Sequence, residues 1–395
     1  MRSESERRPR AGMYLSIIAT SIFLYLYAAG CTTTQKPSMP TEVRIKGVPA
    51  TFEIGAIVRP ETAEVVSFDQ LLADLENVQV VYIGEVHTNE AHHDIQLKVL
   101  KVLFERCGNL LVGMEMFEAS YQDALDQWSA GMLDEASFLG QVDWENTWRF
   151  DFGLYRPILD FVRMESLKVV CLNVPGPIVE KVAREGLESL SDEEWSEIAR
   201  DIDTSHEGHR AYVKDVFESH ESEEITEFEF FYEAQCVWDD SMARAIAQAL
   251  NTNRMVVLAG NGHIAYKFGI PDRAYRRTHA PFRTIMPVAV GTEVEPDVAD
   301  YIWVTPLHMP RRAVVGIRLK TTKEGGGLLI EDVIEESPAA LVGIKPQDIL
   351  LAIDGMPVSS LIDVHKAMAG AKRAPTHVLK IERRGQIIEL TIRLK

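Results

Sequence analysis

Two apolar runs in this 395-residue sequence end in the same way. Val80-Val-Tyr-Ile-Gly84-Glu85-Val86-His87 and Val256-Val-Leu-Ala-Gly260-Asn261-Gly262-His263 each carry a strand-like run into Gly-x-x-His. A third run, Leu110-Leu-Val-Gly-Met-Glu115, also finishes with a carboxylate. Glycine at such an exit lets the backbone turn tightly, so the side chains that follow face the crevice beyond the strand ends, where open α/β sheets bind ligands. Two imidazoles beside two carboxylates have the chemistry of a divalent-metal site, with His87, His263, Glu85 and Glu115 as the ligand set. They equally suit acid–base work near neutral pH. In a metal-dependent hydrolase, the Glu that is not a ligand would activate a bound water, and Asn261 or Arg149 would polarise the substrate carbonyl. His92 and His93, one helical turn after His87, could approach the same site, but the surface reading is the simpler one.

To bring distant segments together, the chain needs a sheet. Short apolar runs at Val78–Ile83, Leu110–Met116, Lys168–Val174 and Met255–Ala259 predict strands, with weaker ones at Arg283–Val290 and Tyr301–Val304. Between the first two, Ile95, Val99, Val102 and Leu103 repeat at helical spacing over His92–Cys107. Ser67 with Gln70 forms a capping-box pattern that opens a helix over Phe68–Leu75. The stretch 120–250 reads as helical except for Lys168–Val174, which predicts a helical cap over one end of the sheet. Its acidic run Glu218–Glu229 reads as a solvated helix face. The expected class is α/β: a mixed, largely parallel sheet flanked by helices, with that cap. Thr305–Pro310 looks like a boundary, giving an α/β domain over 43–308 and a small β-rich domain over 309–395.

Composition narrows the partners. With 46% hydrophobic and 25% charged residues the chain is globular, and its net charge of −18 is a poor match to nucleic acid or to an anionic membrane surface. Membrane attachment must then come from an anchor. Arg2, Arg7, Arg8 and Arg10 precede an apolar run from Met13 to Ala29, the pattern of an export signal. The run ends in Ala28-Ala29-Gly30-Cys31, which resembles a lipobox with Ala28 where Leu is usual. Residues 1–31 are thus expected to be a lipoprotein signal peptide, with Cys31 lipidated, and 32–42 a flexible tether. Thr32 after the cysteine points to the outer membrane, facing periplasm or surface. Cys107, Cys171 and Cys236 show no CxxC spacing, and Cys171 sits in an apolar run as a buried thiol would.

Gly84-Glu-Val-His-Thr-Asn-Glu-Ala-His-His-Asp-Ile-Gln96, Gly113-Met-Glu-Met-Phe117, Asn173-Val-Pro175, Ala234-Gln-Cys-Val-Trp-Asp-Asp-Ser-Met242 and Gly260-Asn-Gly-His-Ile264 with Gly269-Ile-Pro-Asp-Arg273 together resemble the ChaN family. That family comprises haem-binding lipoproteins linked to iron uptake and shares a superfamily with Tiki metalloproteases and erythromycin esterases. The paired Gly-x-x-His motifs of the superfamily fall on His87 and His263. One departure is Gly176-Pro177, where relatives tend to carry Arg. The resemblance implies haem as ligand, with room for a homodimer. Porphyrin wants flat apolar walls, an axial side chain and a cation for its propionates. Trp144, Trp148, Phe150 and Phe152 are dense in aromatics, and Phe231, Gln235, Trp238 and Met242 share a helix face. Tyr155, Tyr212 and His209 are equal candidates for the axial position, Arg149 or Arg156 for the propionates and Trp238 for the walls, while Gln235, a polar group on an apolar stripe, must find a hydrogen-bond partner or face the crevice as a cofactor contact. Core packing is the commoner origin of such stripes. Three readings follow: haem binding, metal-dependent hydrolysis of a peptide or ester, and a non-catalytic interaction protein.

Beyond residue 310, Val314-Val315-Gly316-Ile317, Gly327-Leu-Leu-Ile-Glu-Asp-Val333, Ser337-Pro-Ala-Ala340 and Asp348-Ile-Leu-Leu-Ala-Ile-Asp-Gly355 resemble a bacterial PDZ domain. The resemblance makes Val315, Gly316 and Ile317 the loop that binds a peptide carboxylate. Val364, His365 and Met368, on a helix over Leu361–Ala369, would shape the pocket. The partner would be a C-terminal or extended peptide of an envelope protein. Gln347 stands where relatives have Gly.

Overall fold

The computed structural model describes residues 40–307 apart from 220–224 and 226, and residues 315–393 apart from 322–326, 335–336, 361–362, 365–366 and 368–375. The expected signal peptide, Cys31, His365 and Met368 lie outside the described residues. The chain divides after residue 308 into two compact units. Among the described residues no helix is long and apolar enough to cross a membrane.

The first unit opens with four short strands that sequence periodicity was too brief to signal: β1 (Glu42–Ile45), β2 (Thr51–Glu53), β3 (Ile57–Arg59) and β4 (Glu64–Val66). Helix α1 (Phe68–Leu75) follows, held at its start by the reciprocal Ser67–Gln70 capping box. Then come β5 (Val80–Glu85), α2 (Glu90–Cys107) and β6 (Leu110–Glu118). Next are helices α3 (Gln122–Ser129), α4 (Glu135–Gln141), α5 (Trp144–Thr147) and α6 (Phe152–Met164), and then strand β7 (Lys168–Asn173). Helices α7 (Gly176–Glu185), α8 (Asp192–Glu197), α9 (Glu207–Ser219) and α10 (Phe228–Leu250) lead to β8 (Arg254–Gly260). The unit closes with α11 (Asn261–Ile264), α12 (Ile270–Thr278), β9 (Phe282–Ala289), β10 (Glu293–Val294) and β11 (Tyr301–Thr305).

Eight strands form the main sheet in the order β4-β3-β11-β9-β5-β8-β6-β7. All pairs from β11 to β7 are parallel, whereas β3 pairs antiparallel with both β4 and β11. The sheet is therefore mixed and largely parallel. Helices cover both faces, so the strands are apolar on both sides. Val81, Ile83, Val256 and Leu258 pack into one core with α2 and α6 residues such as Val99 and Leu159. Their alternating neighbours Val80, Tyr82, Met255 and Val257 pack against Ile246 of α10 and Ala274 of α12. A third core, including Val182, Val213 and Val237, joins α7, α9 and α10. Strands β1, β2 and β10 make a separate three-stranded sheet.

The second unit contains β12 (Ile317–Thr321), β13 (Leu328–Val333), α13 (Pro338–Leu341), β14 (Ile349–Ile353), β15 (Met356–Pro357), β16 (Thr376–Arg383) and β17 (Gln386–Arg393). Its sheet runs β12-β13-β14-β16-β17, with β15 pairing β14, around a core of its own that includes Leu328, Leu350, Leu379 and Ile392. Gln347 adopts φ +76°, a left-handed conformation that costs a side-chain-bearing residue about 1–2 kcal/mol.

Candidate functional site

The two Gly-x-x-His exits meet because β5 and β8 are neighbours, in a register that sets Glu85 opposite Gly260. Strand β6 flanks β8 on the other side, and its pairing with β7 is irregular between Met114 and Glu118. Such an irregularity re-aims side chains, and here Glu115 Oε2 accepts from Gly260 N–H at 2.6 Å. Three glycines make room for the site. A Cβ on Gly84 would lie 2.1 Å from Asn261 Oδ1, one on Gly260 3.0 Å from His87 Cε1, and one on Gly269 2.4 Å from the His263 carbonyl oxygen.

Each imidazole is held by a carboxylate. His87 Nδ1 lies 2.6 Å from Glu85 Oε1, which also accepts from Tyr155 Oη at 2.8 Å. Gln96 Nε2 donates to Glu85 Oε2 at 2.8 Å, and His93 Nδ1 lies 3.5 Å from that oxygen. His263 Nδ1 lies 2.7 Å from Asp239 Oδ1, and His263 Nε2 lies 3.4 Å from Glu115 Oε1. All of these groups are buried. Burial opposes charge on Glu85, yet His93 and His87 bring its carboxyl down to about 2. Burial likewise opposes the His263 cation, but Glu115 and Asp239 push its pKa up to about 10. His87 is raised against burial by Glu85 and Glu115. Asp239 is lowered against burial by His263 and His209. The site floor is therefore a set of buried carboxylate–imidazole pairs.

Above it lies a crevice of about 400 Å³, lined by His87, Glu115 and His263 at the floor. Trp148, Phe150, Val179, Phe231 and Trp238 contribute apolar walls, and Arg149 and Arg184 contribute cations. His87 touches Trp148 and Phe150, each with ring centroids at 4.8 Å, and Trp238 meets His263 edge-on at 5.9 Å. Tyr121, Glu118 and Asp143 also line it, at the end of β6 and the start of α5. Gly176 N–H donates to Glu118 Oε1 at 3.1 Å, so the Gly176-Pro177 departure sits in the wall of the crevice.

His87, His263, Glu85 and Glu115 come together as the motifs predict. As a divalent-cation ligand set they gain no support. Among the described residues no group of three or more His, Cys, Asp or Glu is disposed to hold a metal ion. The carboxylates are spent on imidazole, phenol and backbone partners instead. None of the three expected axial residues lines the crevice. Tyr155 is buried beneath the floor as a donor to Glu85, and burial and that carboxylate raise its pKa far above the ordinary phenol value. His209 is buried beside Arg273 and Asp239. Tyr212 faces a different cavity. Gln235 takes the first of its two courses and finds a hydrogen-bond partner; its Nε2 donates to Asp239 Oδ2 at 3.2 Å and lies 3.0 Å from His263 Nδ1. Asn261 turns away from the crevice, donating to Pro287 O at 3.2 Å and lining that other cavity. Arg149 and Trp238 do line the crevice, whereas Arg156 is bound to Glu135 at 2.6 and 2.8 Å.

His92 and His93 are buried, against the surface reading. His92 Nδ1 accepts from Val86 N–H at 2.9 Å, which leaves the proton on Nε2, 3.1 Å from Thr305 Oγ1. Sequence reasoning missed Asp239 and Tyr121. Asp239 had a signal: it lies four residues after Gln235, adding a second polar group to an apolar stripe. Tyr121 had none.

An aromatic-walled, charged-floored crevice beyond the carboxyl ends of a largely parallel sheet defines an α/β ligand-binding protein. Its sequence matches the family described as haem-binding uptake, Tiki superfamily, ChaN, over residues 71–274, more than half of its length, and the chain belongs to that family. A PDZ domain matches over residues 313–394. A solved structure described as cofacial haem binding to ChaN of Campylobacter jejuni shares the fold, with a TM-score of 0.52 and 18% identity, covering 62% of this chain and 95% of that one. Among curated relatives, the chloroplastic protein RETICULATA-RELATED 5 of Arabidopsis thaliana is 24% identical over 259 residues, 58% of this chain and 34% of that protein. A probable periplasmic serine endoprotease, DegP-like, of Chlamydia pneumoniae is 35% identical over 145 residues, 37% of this chain and 27% of that protein. The chain thus spans about a third or less of the length of these curated relatives.

Proposed function

We propose that this chain is an envelope lipoprotein that holds haem in the crevice above β5, β6 and β8 and serves iron or haem uptake. The crevice itself carries the reading. Its volume of about 400 Å³ falls within the range of small-molecule sites, and its walls are aromatic and apolar. Haem brings an iron that takes axial side chains and two propionates that take cations. Arg149 and Arg184, which line the crevice, would meet the propionates. Tyr121, on the lining of the crevice, would be the side chain that meets the iron. Of the other ligand types on the walls, His87 and His263 are held by carboxylates and tend to protonation, and Met116 is buried. Titrating haem into the whole chain should produce a saturable shift of its main absorption band. Replacing Trp238 and Phe231 by Ala together should weaken that binding at least tenfold, roughly the loss of two aromatic walls. Unchanged affinity in that variant would count against the crevice.

Lipidation at Cys31 would anchor the chain, most simply in the outer membrane. The PDZ unit would then tether it to an envelope protein. In support, β12 is an edge strand to which a peptide can add, and Gly316 at φ +83° turns the backbone just before it. A Cβ on Gly316 would lie 2.1 Å from Ser337 Cβ, so this turn needs glycine. Val315 and Ile317 pack on the unit's core, as does Val364.

A second reading is hydrolysis of an ester or amide at the same floor. It is favoured by one observation: two imidazoles, each backed by a carboxylate, flank Glu115. Such a pair divides acid and base roles when its environments push the two pKa values apart. Ester turnover that vanishes in both His87→Ala and His263→Ala would establish it; turnover surviving in either would remove it.

A further inference from the structure

A second cavity of about 350 Å³ lies in the α/β unit, and the crevice reading makes no use of it. The short helix α11 divides the two, with Asn261 lining the second cavity and His263 lining the crevice. Tyr212 of α9 and Tyr266 form an aromatic corner, their ring centroids 5.3 Å apart and their planes at 62°. Lys46, Glu293 and Glu295 line it too, beside the apolar Met286. Tyr266 is held at φ +56°, a conformation that a bulky side chain rarely adopts and that marks functional positions when neighbours enforce it. Its N–H donates to Val298 O at 2.8 Å, and its ring stacks on Phe268 at 5.4 Å. The backbone thus pays strain to keep this ring in the cavity wall.

The charge of the wall selects the ligand. Lys46 Nζ is paired with Glu295 Oε1 at 2.6 Å, so the one ammonium lining it among the described residues is already neutralised. Glu293 remains, and burial together with Glu295, Asp297 and Asp215 pushes the Tyr266 phenol up. An anion would meet repulsion here. Tyrosine faces carry negative quadrupole charge, and with carboxylates beside them they favour an alkylated ammonium, whose charge is spread over an apolar surface. We propose that the cavity walled by Tyr212, Tyr266, Glu293 and Glu295 binds a small organic cation bearing an alkylated ammonium group. The proposal does not depend on what the crevice binds.

Choline and its neutral isostere 3,3-dimethyl-1-butanol are the probes, added to the whole chain and followed by saturation-transfer NMR and calorimetry. Choline should bind and the isostere should not. Tyr266→Ala should weaken choline by about tenfold, the loss of one cation–π partner, with haem titration unchanged. Lys46→Gln, on the exposed rim, should strengthen choline binding by freeing Glu295, and this variant keeps the test sound if Tyr266→Ala misfolds. No choline binding, equal binding of the isostere, or weaker binding in Lys46→Gln would each overturn the proposal.

Discussion

His263 sits between Asp239 and Glu115 in a dry floor, and its charge there is a stability statement. Its pKa is raised from 6.5 to about 10. The stabilisation it contributes is complete below 6.5 and is lost as pH rises through about 10. Glu85 behaves oppositely: lowered from 4.5 to about 2, it stabilises above 4.5 and loses that contribution as pH falls through about 2. These two groups place the stability plateau between about pH 4.5 and 6.5. Asp239→Asn breaks a buried pair and should cost about 3–5 kcal/mol near neutral pH. It should also flatten the alkaline limb of a plot of Tm against pH; an unchanged limb would show that Asp239 does not hold the proton on His263. Residue types in the Gly-x-x-His motifs disclosed this floor, because glycine and histidine at a strand exit have few purposes. The carboxylate that backs each imidazole was harder to read. Glu85 is two residues from His87, but Asp239 reaches His263 only through the packing of α10 on the sheet.

At the scale of elements, the strands that build the site were legible because a buried parallel strand is an unbroken apolar run. The short strands β1 to β4 were not, since three or four residues carry too little periodicity. The burial of His92 and His93 was hidden for a related reason: α2 packs its first turn under the β5 exit, which only tertiary contact reveals. The junction of β5, β8 and β9 depends on a matched pair, Gly84 and Asn261. Gly84→Ala should destabilise the chain by about 1–3 kcal/mol through overpacking. Adding Asn261→Ala should recover part of that loss by vacating the space. Denaturant unfolding of the four-member cycle checks this, and strictly additive effects would show that the two residues do not share the space.

For the whole molecule, each unit has its own core, and the family resemblance written in residues 84–96, 113–117, 234–242 and 260–273 agrees with the matched span 71–274. The net charge of −18 leaves an anchor as the route to a membrane. If Cys31 carries the lipid, Cys31→Ser should abolish incorporation of a labelled fatty acid into the chain while leaving haem titration unchanged. A variant that still takes up the label would contradict lipidation at Cys31. Tyr212 illustrates why cavity-lining residues resist sequence reading: a tyrosine among helices gives no sign of which cavity it faces.

The most direct test of the crevice is the absorption spectrum of the haem complex in Tyr121→Phe, set beside Tyr212→Phe. The crevice account predicts an altered axial-ligand spectrum and weaker binding in the first, and an unchanged spectrum in the second. Identical spectra in Tyr121→Phe and the unsubstituted chain, or a change confined to Tyr212→Phe, would contradict it.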